Sequence, residues 1–386
     1  MRVGFLKAGK PPIWEAPVLN ELRKNGVDAK FITGTLNDQL DYNLQVKCSN
    51  LRSVGPIDRL LNNSSFSRLM NGIFDIRTVD LSSRFLGLNS RLKSVDIVHL
   101  TDDVMTPAWQ AVNAGKKTVM TVWENIPFNP MTTLKRPTTQ RWNFIKDRID
   151  HFLPVSEEAK RMLILNGIPE QKITKVHPGI DTDLFSRRPD YKVSNRINPN
   201  GKFLILEVGR VVYEKGLTFT LRALKMLKDF SNDFLYVHVG TGNPNFLRYV
   251  NKLTELLGLE ENVKFLGDVP YSGMPAIYSS ADAFVMASIP NMYWEEQMGF
   301  SIVEAMSCGV IPIVSDTPAM REVVPENCGI LVPSGNGESI FKAVFSIINS
   351  SFDTSSFRRN CIDHVSSEYN AVKTAKTYDD IYSSLL

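Results

Sequence analysis

The sequence predicts an α/β fold of two doubly wound, Rossmann-like domains that face each other across a cleft. Three observations support this: short apolar runs alternate with segments of helical period, the alternation lapses once near mid-chain, and it then restarts. The lapse is the segment 177–201, whose Pro, Asn and charged residues are typical of a linker. Because strand–helix–strand connections are right-handed crossovers, each half should form a parallel sheet covered on both faces.

In the first half, six short apolar runs are predicted as strands: RVGFLK, DAKFIT, VDIVHL, KTVMTV, DHFLPV and KITKV. Two amphipathic segments between them end in Gly26 and Gly167. Glycine at such a position suits the left-handed residue that closes a helix. We therefore expect a first domain at residues 1–195.

The second half repeats this pattern, with predicted strands KFLILEV, FLYVHVG, VKFLG, DAFVMA and VIPIV. One apolar helix stripe is formed by Leu217, Leu221, Leu224 and Leu227. We expect a second domain at residues 196–367 and a helix at about 368–386 that packs back on the first domain. One face of that helix should carry Val372, Ala375, Tyr378 and Ile381. Ligands of open α/β sheets bind outside the carboxyl ends of the strands, so the expected site is the interdomain cleft.

The composition limits the class of protein. The chain has 386 residues, 43% of them apolar and 22% charged, as in a globular protein with sizeable cores. Its net charge of +3 gives no reason to expect nucleic-acid binding. The four cysteines (48, 308, 328 and 361) show no C-x-x-C spacing and are expected to be reduced thiols in a cytoplasmic protein.

Contact with a membrane, at its inner surface, is expected to be peripheral. The N-terminal apolar run is too short for a signal peptide, and no segment approaches the ~20 apolar residues of a spanning helix. A basic patch beside Trp142 and Phe144 fits an anionic membrane surface, an anionic acceptor, or an ordinary solvated helix face. The patch consists of Lys135, Arg136, Arg141, Lys146 and Arg148.

The stretch EVGRVVYEKG follows a predicted buried strand and leads into a helix, which places Arg210 and Lys215 at the carboxyl end of a strand. Two cations with backbone freed by Gly209 and Gly216 make a site for a phosphate or diphosphate. The alternative is a pair of cations on an ordinary surface loop.

The stretch EEQMGFSIVEAM has two glutamates, Glu296 and Glu304, on either side of a predicted helix start near Ser301. One interpretation is structural: Ser301 and Glu304 would form an S-x-x-E capping box, and Glu296 would be a solvated loop residue. The other is functional, since a helix start attracts anions and carboxylates accept hydrogen bonds from sugar hydroxyls. Glu304 would then bind a vicinal diol such as a ribose, and Glu296 a sugar.

Several motifs in order resemble the donor-binding domain of family-four (group 1) retaining glycosyltransferases with the GT-B fold. They are VGRVVYEKG, VGTGN, VKFLGDV and EEQMGFSIVEAMSCGVIPIVSD, preceded more loosely by PVSEEAK and VHPGIDTDLF. The resemblance implies an enzyme, a hexosyltransferase, with an acceptor-binding first domain and a donor-binding second domain. The donor would be a UDP-, GDP- or ADP-sugar, and the acceptor a sugar, glycan or lipid-linked hydroxyl.

The resemblance also implies roles for single residues. Arg210 and Lys215 match the pair that neutralises the donor diphosphate, Glu304 the glutamate that holds the ribose, and Glu296 the one that touches the transferred sugar. Further donor contacts are implied for the backbone of Gly299, Phe300 and Ser301, for Leu266 and its neighbours up to Val269 near the base, and for Gly9 in the KAGK loop.

One loop of the first domain departs from the family pattern. Many members have a histidine near the sugar where this chain has Trp123, Glu124 and Asn125. Either Glu124 or Asn125 orients the acceptor or sugar, or the loop is purely structural.

Other motifs are set aside. Asp181-Thr182-Asp183 lies in a predicted linker turn, and GTGNPN at Gly240 lacks the third glycine of a dinucleotide fingerprint. The histidines show no metal-ligand spacing, so no metal is expected in catalysis.

The family retains anomeric configuration by front-face attack, in which the leaving phosphate takes the acceptor's proton, so no separate general base is required. Two alternatives stay open. A nucleotide-sugar epimerase would convert the donor with no acceptor present, and a non-catalytic nucleotide-sugar binding protein would turn over nothing.

Overall fold

The computed structural model describes residues 1–7, 11, 13–33, 48–50, 87–101, 105–127, 142–188 and 190–386. Its contacts divide the chain into two compact units. The first unit consists of Met1–Gly179 and Ala371–Leu386, and the second of Ile180–Asn370.

The first unit is built on a parallel sheet with strand order β3-β2-β1-β4-β5-β6. Its strands are β1 (Arg2–Lys7), β2 (Asp28–Thr33), β3 (Cys48–Asn50), β4 (Ile97–Leu100), β5 (Lys117–Val122) and β6 (His151–Pro154). Its helices before the second unit include α1 (Ala16–Lys24), α2 (Leu88–Leu92), α3 (Met105–Asn113) and α4 (Glu157–Leu165). The strands are buried because apolar clusters lie on both faces of the sheet.

The second unit is built on another parallel sheet, with strand order β12-β11-β10-β7-β8-β9. Its strands are β7 (Phe203–Val208), β8 (Phe234–Val239), β9 (Val263–Gly267), β10 (Ala283–Met286), β11 (Ile311–Ser315) and β12 (Ile330–Val332). Its helices are α5 (Tyr191–Ile197), α6 (Leu217–Lys228), α7 (Pro244–Leu256), α8 (Met274–Ser279), α9 (Phe300–Ser307), α10 (Pro318–Val323), α11 (Gly337–Ile348) and α12 (Thr354–Glu368). The four leucines of the predicted stripe on α6 are all buried.

The strand order of the second sheet reverses between β7 and β10. In doubly wound sheets, a crevice opens at the carboxyl ends of the strands where the order reverses. The two motif stretches EVGRVVYEKG and EEQMGFSIVEAM follow these two strands. The fold therefore places both motifs at the position where such sheets bind ligands, and two parallel α/β sheets confirm the predicted fold class.

The last helix, α13 (Ala371–Leu385), belongs to the first unit and packs on α1. Its buried face consists of Ala371, Thr374, Ala375, Tyr378 and Tyr382. Val372, predicted on that face, is 55% exposed, so the stripe is rotated by about one residue from the predicted one.

One predicted boundary and one predicted strand also differ from the structure. The contacts change units at Gly179 rather than at residue 195, because Phe185 is buried in the core of the second unit. The predicted strand KITKV makes only a single bridge, between Phe152 and Ile173, and continues as irregular chain.

Candidate functional site at the carboxyl end of the second sheet

The loop from β7 to α6 holds Arg210 and Lys215 at the sheet edge. It is anchored to the end of β8, since the amide of Gly209 donates to the carbonyl of Val239 at 3.0 Å. A short 3₁₀ turn at Tyr213–Lys215 then leads into α6.

Gly216 closes this loop and tolerates no side chain. Its φ is +79°, and a Cβ there would lie 2.0 Å from the carbonyl oxygen of Ala287. The loop is thus packed directly against the end of β10, which leads to the second motif.

Lys215 forms an ion pair with Glu296 across the two loops. The two side chains are only 11% and 12% exposed. The same carboxylate oxygen of Glu296 accepts a hydrogen bond from the Ser288 hydroxyl at 3.1 Å, and the Lys215 ammonium lies 5.3 Å from the ring centre of Trp294. A cation and an anion side by side match a sugar phosphate, in which charged oxygens and donor hydroxyls are neighbours.

Helix α9 begins at Phe300. The residue before it, Gly299, has a φ of +64° and provides no side-chain hydrogen bond to cap the helix. The Ser301 hydroxyl donates instead to the carbonyl of Val208 at 3.0 Å. The capping-box interpretation is therefore wrong: neither Ser301 nor Glu304 caps the helix start. The backbone amides at the start of α9 include those of Phe300 and Ser301. They give this edge of the sheet a partial positive charge.

Glu304 lies in the first turns of α9 and is 5% exposed. Its two carboxylate oxygens accept hydrogen bonds from two tyrosine hydroxyls, from Tyr271 at 2.9 Å and from Tyr278 at 2.8 Å. Burial raises the pKa of Glu304 to about 7, although both hydrogen bonds act to lower it. Each oxygen keeps a further acceptor position for a ligand hydroxyl.

Two further residues, Leu266 and Gly9, are predicted to contact the donor. Leu266 lies on β9 and is 38% exposed. Gly9 lies outside the described residues.

In the first unit, hydrogen bonds hold the Trp123–Asn125 loop in place. The indole of Trp123 donates to the carbonyl of Thr101 at 3.0 Å, and Glu124 accepts the amide of Ile126 at 3.0 Å. Asn125 is 5% exposed. The structure thus gives Glu124 a local hydrogen bond within its own loop.

The motifs set aside above have structural explanations. Asp181 accepts the amide of Leu184 at 2.8 Å, which closes a turn, and Asn243 of GTGNPN caps α7 through the amides of Asn245 and Phe246. Among the described residues, no group of three or more His, Cys, Asp or Glu side chains is arranged to hold a metal ion.

The basic patch is described only in part, because residues 135, 136 and 141 lie outside the described ranges. Arg148 lies 3.8 Å from the ring centre of Phe144, and Lys146 donates to the carbonyl of Asn166 at 3.3 Å. Within the same described ranges, no helix is both long enough and apolar enough to cross a membrane.

Sequence reasoning missed four groups of this site: Tyr271, Tyr278, Ser288 and Trp294. Trp294 stands in the same loop as Glu296 and could have been noted for its residue type. The two tyrosines are 33 and 26 residues from Glu304 along the chain, so no local pattern connects them with it.

Comparison with known proteins gives two family matches that together cover most of the chain. Residues 18–184 match Glycosyltransferase Family 4, and residues 189–365 match Glycosyl transferases group 1. The chain is 24% identical over 302 residues to the GPI3 subunit of phosphatidylinositol N-acetylglucosaminyltransferase of Saccharomyces cerevisiae. That match covers 76% of this chain and 64% of the yeast protein, so the chain spans less than two thirds of this relative.

Two further similarities concern part of the sequence and the fold. A phosphatidyl-myo-inositol mannosyltransferase of Mycobacterium leprae is 30% identical over 174 residues, which are 44% of this chain and 42% of that protein. The crystal structure of Anabaena HepE in complex with UDP-glucose has the same fold, with a TM-score of 0.79 at 17% identity over 100% of both chains. The two family matches, one to each half, show that the chain belongs to the group 1 glycosyltransferases, with the GT-B fold.

Proposed function

We propose that this chain transfers a hexose from a nucleoside-diphosphate sugar to a hydroxyl acceptor, with retention of anomeric configuration and without a metal ion. The observation that carries the proposal is the shielded Lys215–Glu296 pair where the strand order reverses, beside the start of α9. An exposed ion pair would be of little consequence, but a shielded pair in a binding crevice is typical of a functional site.

Each group at the edge has a task in this reaction. Arg210, Lys215 and the amides of the α9 start stabilise the negative charge that develops on the leaving diphosphate. Glu304 accepts hydrogen bonds from the ribose hydroxyls, and Glu296 accepts them from the hydroxyls of the transferred sugar. Leu266 and the backbone up to Val269 lie beside the base.

The chemical step forms one bond and breaks another. The bond between the anomeric carbon and the diphosphate oxygen breaks, and the acceptor oxygen bonds to that carbon from the same face. The acceptor's proton passes to the leaving phosphate. The products are a nucleoside diphosphate and a glycoside of unchanged configuration.

The acceptor class follows from the relatives' names, two of which contain phosphatidylinositol. An inositol-bearing lipid is therefore the first acceptor to test, alongside glycans and small sugars. Such an acceptor would require peripheral contact of a cytoplasmic protein with the inner membrane surface, for which Lys146 and Arg148 provide positive charge.

The first experiment is a thermal-shift series with UDP-, GDP- and ADP-sugars in the presence of EDTA. A donor at about one hundred times its Kd should stabilise the protein by ~2.7 kcal/mol. Lys215→Met should abolish this shift, while Lys252→Met, which removes an exposed lysine of the same unit, should leave it unchanged. Equal shifts in wild type and Lys215→Met would contradict the proposed site.

Transfer is then assayed with the donor that binds, with and without acceptor. NMR of the product's anomeric centre tests retention, and activity in EDTA tests metal independence. Conversion of the donor in the absence of any acceptor would favour the epimerase alternative. Binding without turnover of any acceptor would favour the binding protein.

A further inference from the structure

Glu207 is a buried residue of β7, three residues before Arg210, and is 1% exposed. One of its oxygens, Oε2, accepts hydrogen bonds from the Tyr236 hydroxyl at 2.8 Å and from the Thr220 hydroxyl at 3.4 Å. Tyr236 is on the adjacent strand β8, and Thr220 is in the first turn of α6. Glu207 thus links the strand from which the Gly209–Gly216 loop departs to the helix that this loop enters.

The other oxygen, Oε1, has no hydrogen-bond partner in the described part of the chain. His238, the register partner of Glu207 on β8, is fully buried, and neither of its ring nitrogens has a partner there either. Unsatisfied buried polar groups reduce stability, and an apolar pair would fill this position at lower cost. A carboxyl group kept here at the expense of stability points to a role in the neighbouring site.

The charges around Glu207 connect it with the diphosphate loop. Burial raises the pKa of Glu207 to about 8, while the Tyr236 hydrogen bond, the charge of Lys215 and the Thr220 hydrogen bond act to lower it. Burial also lowers the pKa of His238 to about 4, so that this ring is neutral. The groups facing Glu207 are therefore Tyr236 and His238 from β8, Thr220 from α6 and the ammonium of Lys215.

We propose that Glu207 is a positioning residue for the donor diphosphate: it ties α6 to β8 and thereby fixes the loop that presents Arg210 and Lys215. This inference rests on the proposed function, because it assigns the loop to the diphosphate. It has one consequence for pH. Above about pH 8, an ionised Glu207 keeps its hydrogen bonds from Tyr236 and Thr220 but attracts the ammonium of Lys215 toward the sheet and away from Glu296, so donor binding weakens.

The test is Glu207→Gln, which keeps the shape and removes the titration. The amide oxygen can still accept from Tyr236. Backbone hydrogen exchange of residues 209–216, corrected for intrinsic rates, is followed from about pH 6 to about pH 10. UDP, GDP and ADP are titrated at the same pH values, with Glu255→Gln as the control because Glu255 is an exposed glutamate of the same unit.

In wild type and in the control, nucleotide affinity should fall above about pH 8, while exchange of this segment stays slow. In Glu207→Gln the affinity should not fall in this way. Tyr236→Phe, which removes the stronger hydrogen bond, should accelerate exchange of the segment at every pH.

Exchange of residues 209–216 that is no faster in Tyr236→Phe than in wild type would overturn the positioning role. A different outcome would bear on the proposed function instead. If Tyr236→Phe accelerates exchange as expected but no nucleotide binds wild type, or if Lys215→Met binds it equally well, the donor site is wrong and Glu207 positions the loop for another purpose.

Discussion

The residues predicted for the site are held in different ways in the two units. In the second unit, the predicted residues contact one another across two loops: Lys215 pairs with Glu296, and Glu304 is held by tyrosines from another helix and turn. In the first unit, Glu124 accepts an amide two residues further along its own loop, and Trp123 braces that loop against Thr101. Long-range pairing of buried polar groups costs desolvation, and loss of one partner leaves the other uncompensated, whereas a local hydrogen bond is sufficient to hold a turn. Substitution should therefore cost more at the paired residues of the second unit than at Glu124.

The largest effect is expected when the Lys215–Glu296 pair of the second unit is broken. Lys215→Met should reduce transfer about 10²–10³-fold, or ~2.7–4 kcal/mol of barrier, because it removes preorganised charge at the leaving group. The measurement is kcat/KM with the donor that gives a thermal shift. Loss of less than about threefold would place the diphosphate elsewhere.

A second prediction concerns the response of the first unit to acid. His99 on β4 is 1% exposed, hydrogen-bonded to Tyr382 and Thr121, and burial lowers its pKa to about 3. The folded His99 stays neutral while the unfolded one binds a proton below about pH 6.5, so stability is lost as the pH falls through that value. At about pH 5 this amounts to ~2 kcal/mol.

This loss is measured by urea unfolding followed by tryptophan fluorescence, since Trp14, Trp109, Trp123 and Trp142 lie in the first unit and only Trp294 in the second. His99→Gln should have a smaller difference in midpoint between about pH 7 and pH 5 than wild type. An unchanged difference would mean that other groups cause the acid response.

A third prediction concerns Glu304, whose pKa is raised to about 7 by burial. Only the carboxylate accepts ribose hydroxyls at both oxygens, so nucleotide affinity should rise about tenfold from about pH 6 to about pH 8. Glu304→Gln should bind weakly with little change over this range. The measurement is calorimetric titration, with the 2′-deoxynucleotide as a ligand that should lose part of the effect. A rise that persists in Glu304→Gln would assign the titration to another group.

The smallest effect is expected in the first unit. Glu124→Gln keeps an oxygen that can accept the amide of Ile126, so transfer should change by less than about threefold, within the ~1 kcal/mol of an ordinary hydrogen bond. Kinetics at varied acceptor concentration check this. A loss comparable with that of Lys215→Met would give Glu124 a direct part in the reaction and remove the contrast between the two sheets.

The fold and half of the site could be predicted because they depend on short-range patterns. Strand and helix periods identify β7, β10 and α9, and residues that follow a parallel strand must lie at its carboxyl end, which places Lys215 and Glu296. The burial of Phe185 and the hydroxyls of Tyr271 and Tyr278 depend on tertiary packing across tens of residues, which leaves no local pattern. The S-x-x-E sequence at Ser301 is the reverse case. Here a local pattern predicts a capping box that the structure does not form.

The return of α13 to the first unit has a consequence for biosynthesis. The second unit, Ile180–Asn370, is one uninterrupted segment and is synthesised before α13. Until α13 emerges, the cluster that contains Phe5 and Leu19 lacks Ala375, Tyr378 and Tyr382. The second unit is therefore complete before the first, which keeps apolar surface uncovered until this helix is made. For a nascent chain, this makes the early half the one that requires chaperone protection.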